Sequence, residues 1–108
     1  MALAESQAET TTDAFAEYPH FRRDLLFAIA AVGPASGKAV QAEIEAYYET
    51  DINHGRLYPN LDALVDDGLV EKGEIDDRTN SYELTQSGRQ ALKERREWEA
   101  ERLSEGDA

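Results

Sequence analysis

The run Gly55-Arg56-Leu57-Tyr58-Pro59-Asn60-Leu61, continuing through Leu64 and Val65 to Gly68-Leu69-Val70, decides how this chain is read. Leu57, Leu61, Leu64 and Val65 recur at helical spacing, and Gly68 stands where a left-handed residue closes a helix. The spacing predicts a helix beginning near Asn53. Pro59 lies inside it, where it removes the bond to the Gly55 carbonyl and is expected to bend the first turn and a half.

Upstream, Ser36 is a natural N-cap for a helix whose apolar positions are Val40, Ile44, Tyr47 and Tyr48. Before it, Pro19 suits a first-turn position, and Phe21, Leu25, Ala28, Ile29 and Val32 keep helical spacing until Gly33-Pro34 stops the run. Leu26, Phe27, Ala30 and Ala31 make the other side of this first helix apolar too. A helix apolar all round in so small a domain is expected to serve its own core with one face and a second copy with another.

Downstream, Leu69 to Ile75 and Ser81 to Thr85 read as two strands joined by the polar loop Asp76-Asp77-Arg78-Thr79-Asn80. Thr85 then caps a weakly amphipathic helix to about Leu103, with Leu92, Trp98 and Leu103 apolar and Lys93/Glu97 and Arg95/Glu99 paired at i,i+4. The fold class is therefore mainly α with a small β-hairpin. Three helices, a hairpin and a C-terminal helix make a winged helix-turn-helix, expected over residues 18–103. Residues 1–17 carry acids, no Lys or Arg and successive threonines, and read as a disordered tail.

In that architecture the third helix enters the major groove and the hairpin lies along the backbone or minor groove. Three DNA-facing sets follow. At the start of the second helix stand Ser36, Gly37 and Lys38, with Lys38 either solvated or clamping a phosphate at the helix N-terminus. On the third helix stand Asn53, His54, Arg56, Leu57, Tyr58 and Asn60, because Arg to guanine and Asn to adenine are the common bidentate contacts. Tyr58 has two readings, packing beneath the helix or touching a phosphate through its hydroxyl. At the wing tip stand Arg78, Thr79 and Asn80. Arg22 and Arg23 read as surface ion-pair residues, with phosphate contact the alternative.

Composition opposes this at first sight. The chain has 108 residues, 23 Asp+Glu against 11 Lys+Arg and a net charge of -12, which should repel nucleic acid. Yet Lys38, Lys72 and Lys93 are the only lysines, and an acid-rich, lysine-poor surface suits a salt-loving cytoplasm where screening is short-ranged. The acids are also unevenly placed. None occurs in Leu25 to Ala42, Ile52 to Leu61 or Arg78 to Tyr82, and the three DNA-facing sets fall in these windows.

Other classes are excluded on residues. Cysteine is absent, which removes disulfides and thiol chemistry. Gly33-x-x-x-Gly37-Lys38-Ala39 is too short for a phosphate loop and lacks its hydroxyl after the lysine. His20 has no metal-ligand partner at useful spacing, and no nucleophile, base and orienter assemble, so neither a metal site nor an enzyme is expected. The longest apolar stretch, Leu25 to Val32, falls far short of the roughly 18 residues of a membrane span. A soluble cytoplasmic protein is expected.

The Gly55 to Leu61 run with Leu64 and Gly68-Leu69-Val70, then Tyr82-Glu83-Leu84-Thr85 and Gly88, resembles the PadR family of transcriptional regulators, and Gly33-Pro34 before Ser36-Gly37 fits the same family's turn between its first helices. The resemblance covers roughly Leu25 to Leu92. It implies a homodimer on a pseudo-palindromic operator in double-stranded DNA, usually repressing. With one helix after the wing, dimerisation is expected to rest on helices 19–33 and 85–103, through Phe21, Leu25, Phe27, Leu92, Trp98 and Leu103. Together with the acidic surface, the chain is similar to PadR-like regulators of halophilic archaea. No cofactor is expected beyond inorganic cations at the DNA interface. The rival reading is a winged-helix protein-interaction module, an adaptor that never touches bases.

Overall fold

The computed structural model describes residues 18–107, so the tail assigned to residues 1–17 lies outside the described residues. The chain runs α1 (His20–Val32), β1 (Ala35–Ser36), α2 (Gly37–Tyr48), α3 (His54–Asp66), β2 (Val70–Asp76), β3 (Thr79–Leu84) and α4 (Gln86–Asp107). Side-chain caps set several boundaries. Ser36 Oγ accepts from Ala39 N at 3.1 Å, Asn53 Oδ1 from Arg56 N at 2.8 Å and Thr85 Oγ1 from Gly88 N at 3.0 Å. Each meets an amide in the first turn of its helix, and the Arg56 amide is shared with the Asn53 carbonyl 3.1 Å away. Gly68, at φ 78°, turns the chain from α3 into β2.

Thr85 also donates to the Gly68 carbonyl at 2.7 Å, so one side chain both starts α4 and fastens it to the turn after α3. Gly88 lets α4 pass close to β2's approach, since a Cβ there would lie 2.2 Å from the Leu69 carbonyl oxygen. Lys72 on β2 reaches Asp62 on α3 at 3.8 Å. The wing and the third helix are thus joined mainly through backbone groups, and the exposed ion pair adds little.

Three strands form the sheet, in the order β1-β3-β2 and antiparallel throughout. The two-residue β1 was not expected. It pairs Ala35 with Tyr82 and Ser36 with Ser81, which ties the start of α2 directly to the wing. The wing loop is also shorter than expected. Thr79 and Asn80 belong to β3, leaving Asp77-Arg78 as the turn, and Asp76 Oδ1 accepts from Arg78 N at 2.9 Å to close it. That bond, with further bonds from Thr79, holds the Asp76 carboxyl below the usual carboxylate range.

The core lies between α1, α2, α3 and the inner face of β3, with Leu25, Leu26, Ile29, Leu57, Leu61 and Tyr82 buried. This corrects part of the expected dimer surface. Phe21, Leu25 and Leu92 are buried within one chain: Phe21 and Leu25 lie on the α1 stripe with Ile29 that faces α2 and α3, and Leu92 on α4 packs into the same core. Leu26 joins that core as well. Phe27, Trp98 and Leu103 are left outside, at 42%, 46% and 71% exposure. α4 continues to Asp107, past the expected end near Leu103.

Candidate nucleic-acid interface

Where the N-terminus of α2, the first turns of α3 and the wing converge, they enclose a groove of about 400 Å³ lined by Ser36, Gly37, Lys38, Tyr58, Arg78, Thr79, Asn80 and Tyr82. None of these is acidic. The Ser36–Ser81 pairing brings the α2 start beside the wing, and the tight Asp77-Arg78 turn puts Arg78 at its rim. Lys38 and Arg78 are exposed, and neither side chain has an ion-pair partner among the described residues. Two cations thus flank a neutral floor.

Tyr58 is half-buried in this floor, and a Cβ at position 37 would lie 2.6 Å from its hydroxyl oxygen. Only glycine permits that approach. The Tyr58 ring also stands edge-on to His54, with centroids 5.3 Å apart and planes at 89°. The ring is wedged between α2 and His54. Burial, and after it the nearby Asp62 and Tyr58, push the neighbouring Tyr82 phenol up.

The other third-helix residues are engaged differently. Leu57, placed in the DNA-facing set by its sequence position, is fully buried in the core and is corrected accordingly. Asn53 caps α3. The Arg56 guanidinium lies 3.9 Å from the Phe21 ring centroid and 5.9 Å from that of Tyr48. Asn60 Nδ2 donates to the Arg56 carbonyl at 2.7 Å, and Asn60 Oδ1 accepts from Arg22 Nε at 2.8 Å. Arg22 in turn lies 5.8 Å above the Tyr18 ring, whose hydroxyl donates to Asp67 at the end of α3. Arg22 and Tyr18 were missed as partners of the third helix. Nothing in the sequence marks contacts between residues so far apart.

Two further grooves flank Phe27. One, also about 400 Å³, is lined by Asp24, Phe27, Ala28, Glu43, Ile44, Tyr47 and Glu99. The other is lined by Phe27, Ala30, Leu84, Arg89, Leu92, Lys93 and Arg96. Their apolar floors are alike and their rims opposite in charge. On α4, Trp98 lies between the guanidinium groups of Arg95 and Arg102, at 4.9 and 4.5 Å from its ring centroid. No group of metal-binding side chains and no helix long and apolar enough to cross a membrane occurs among the described residues.

Comparison with known proteins agrees with this geometry. The hsRosR-S1 complex structure matches with a TM-score of 0.78 at 42% identity, covering 82% of this chain and 79% of that one. A structure of H. salinarum RosR grown from NaBr gives 0.75 at 43% identity, covering 80% and 77%. F93 from STIV, a winged-helix DNA-binding protein, gives 0.64 at 26% identity, covering 78% and 92%. No curated protein sequence matches the chain. The family profile for PadR-like transcriptional regulators matches residues 25–94, the span that holds the core, the groove and the wing. With that much of the sequence inside the profile, the chain belongs to the PadR-like family of transcriptional regulators, non-enzymatic proteins built on a winged-helix DNA-binding fold.

Proposed function

We propose that this chain is a sequence-specific DNA-binding repressor, acting as a homodimer on a pseudo-palindromic operator in a salt-rich cytoplasm. The observation that carries the reading is the groove between α2, α3 and the wing, where no lining residue is acidic in a chain of net charge -12. Phosphate binding needs cations at the rim and no carboxylates on the floor, and Lys38 and Arg78 meet that need. Ser36, Thr79 and Asn80 add uncharged hydrogen-bonding groups for backbone oxygens.

Dimerisation draws support from the exposed Phe27, Trp98 and Leu103 and from the two oppositely charged grooves beside Phe27. A two-fold contact requires one surface to complement itself, and neighbouring acidic and basic rims around a shared apolar residue do so. Two copies would present two third helices to successive major-groove faces.

The test is a fluorescence-anisotropy titration against duplexes enriched from a genomic fragment pool, at KCl from about 0.5 to 3 M, a span over which screening falls to a few ångströms. Specific binding lost on Arg78→Ala or Lys38→Ala supports the proposal, and no binding at any salt favours the protein-docking adaptor. An ordinary binder weakens with a log–log slope near -0.9 per neutralised phosphate. Cations trapped between carboxylates and phosphates flatten that slope, whereas steep weakening removes ion uptake from the mechanism. Sedimentation in the same salt range reads the dimer directly.

A further inference from the structure

Five polar side chains stand at the N-cap and first turns of α3; Tyr58 packs in the groove floor, and Asn53, Arg56 and Asn60 make contacts within the protein. Asn53 spends its side-chain oxygen on the Arg56 amide, 2.8 Å away. Asn60 uses its oxygen on Arg22 and its nitrogen on the Arg56 carbonyl. A bidentate adenine contact needs both of those atoms aimed at one base. Arg56 is exposed, but its guanidinium carbon sits 3.9 Å from the centroid of the Phe21 ring, which is only 4% exposed, so the guanidinium is part of the cover over a core ring. Swinging it into a groove would uncover that ring and forfeit a contact at 3.9 Å. All three ties run inward, toward the helix's own backbone or toward α1.

His54 is the exception. It is exposed and lies against the Tyr58 ring, and no protein group among the described residues hydrogen-bonds its imidazole. Tyr58 is itself braced against Gly37, so the imidazole stands against a fixed wall beside the groove that carries Lys38 and Arg78. Opposite the buried Leu57 and Leu61 stripe, ahead of Asp62 and Asp66 on the same face, stand Gly55 and Pro59, both exposed. Neither carries a long side chain, so base edges can come close enough for a short imidazole to reach them. A neutral imidazole offers one N–H donor and one acceptor nitrogen. Its donor matches the N7 acceptor that every purine shows in the major groove.

We propose that His54 reads a purine N7 edge in each half-site and that Arg56 and Asn60 are positioning residues, which hold α3 at its angle to α1. This rests on the DNA-reading function proposed above. The experiment is selection from a random duplex library at high salt with wild type, His54→Ala, Arg56→Ala and Asn60→Ala, alongside thermal melts of each. Arg56→Lys stands in if Arg56→Ala does not fold, since it keeps the charge and loses the planar guanidinium.

His54→Ala should keep the wild-type Tm, bind the wild-type consensus roughly tenfold more weakly, and lose purine preference at one position per half-site. Arg56 and Asn60 variants should melt earlier and bind more weakly while selecting the same bases. The assignment is overturned if His54→Ala keeps the full consensus, or if an Arg56 or Asn60 variant loses preference at a single base. A wild type that selects no consensus removes the DNA-reading function itself, and this assignment with it.

Discussion

Two grooves of similar volume, about 400 Å³ each, differ most in charge. The groove between α2, α3 and the wing has Lys38 and Arg78 and no acid, whereas the groove between α1, α2 and α4 has Asp24, Glu43 and Glu99 around Phe27, Ile44 and Tyr47. The net charge of -12 is thus a sum over surfaces with different tasks. At molar salt a charge acts over only a few ångströms, so a phosphate senses the residues lining its own groove. Under the proposed function, a salt-rich solvent sets the total and the DNA partner sets the local arrangement.

The largest effect should come from making the two grooves alike. Lys38→Glu with Arg78→Glu places two acids at the rim of the acid-free groove, and operator affinity should fall on the order of a hundredfold. Both side chains are exposed, so Tm should barely change. Anisotropy titration and a thermal melt read the two quantities separately. Retained binding would locate the DNA face elsewhere.

A smaller effect tests the floor of the same groove. Gly37→Ala puts a Cβ 2.6 Å from the Tyr58 hydroxyl and 2.8 Å from Tyr58 Cε1, so the ring must move. Overpacking of this kind costs about 1–3 kcal/mol. Affinity should drop roughly tenfold as the wall behind His54 shifts, a loss to be measured beside the melting temperature. A variant that melts earlier yet binds unchanged would separate the Tyr58 wall from DNA recognition.

How much of this was legible depends on the range of the interaction. The helix starts at Ser36, Asn53 and Thr85 and the turn at Gly68 were readable because a cap is a local bond between one side chain and an amide three residues on. β1 was not, since two residues carry no periodicity and their pairing with Ser81 and Tyr82 is set by the tertiary fold. The wing loop was read too long because Thr79 and Asn80, polar enough for a turn, pair with Asp76 and Glu74 across the hairpin. At the site, the winged-helix order named every groove residue except Tyr82, along with five third-helix residues that do not line it. The inward ties of Arg56 and Asn60 were not legible, because they depend on Phe21 and Arg22 of a distant helix. Nor could a helix apolar all round say which of Phe21, Leu25 and Phe27 faces outward.

A milder test perturbs the wall beside the acidic groove through pH. Burial, and after it a hydrogen bond to Asp24 at 2.8 Å, push the Tyr48 phenol up to about 12. The unfolded chain holds tyrosine near 10, so folding favours the neutral phenol. Its contribution is complete below about pH 10 and is lost as pH rises through about 12. Tyr18 and Tyr82 are raised in the same direction, so the wild type should lose stability across that window. Tyr48→Phe should lower Tm by a few degrees at neutral pH, consistent with a lost hydrogen bond worth about 1 kcal/mol or less. The gap from wild type should then narrow between about pH 10 and 12, as melts across that window would record. A constant gap would show that the Tyr48–Asp24 bond does not distinguish the phenol from its anion.

The smallest effect is expected from neutralising the acidic groove. Glu99 is partly exposed and meets Arg95 Nε at 3.0 Å, an i,i+4 pair of the kind worth about 0.3–0.5 kcal/mol, and Glu43 is exposed. Glu43→Gln with Glu99→Gln should therefore leave operator affinity within about twofold, because neither carboxylate lines the groove proposed to hold phosphates. The same variant should associate more weakly in sedimentation, since the acidic rim loses its attraction for the basic rim of a second copy. A tenfold loss of operator affinity with association unchanged would mean that these acids act on DNA at a distance. The division of labour between the two grooves would then fail, and charge would have to be treated as a property of the whole surface.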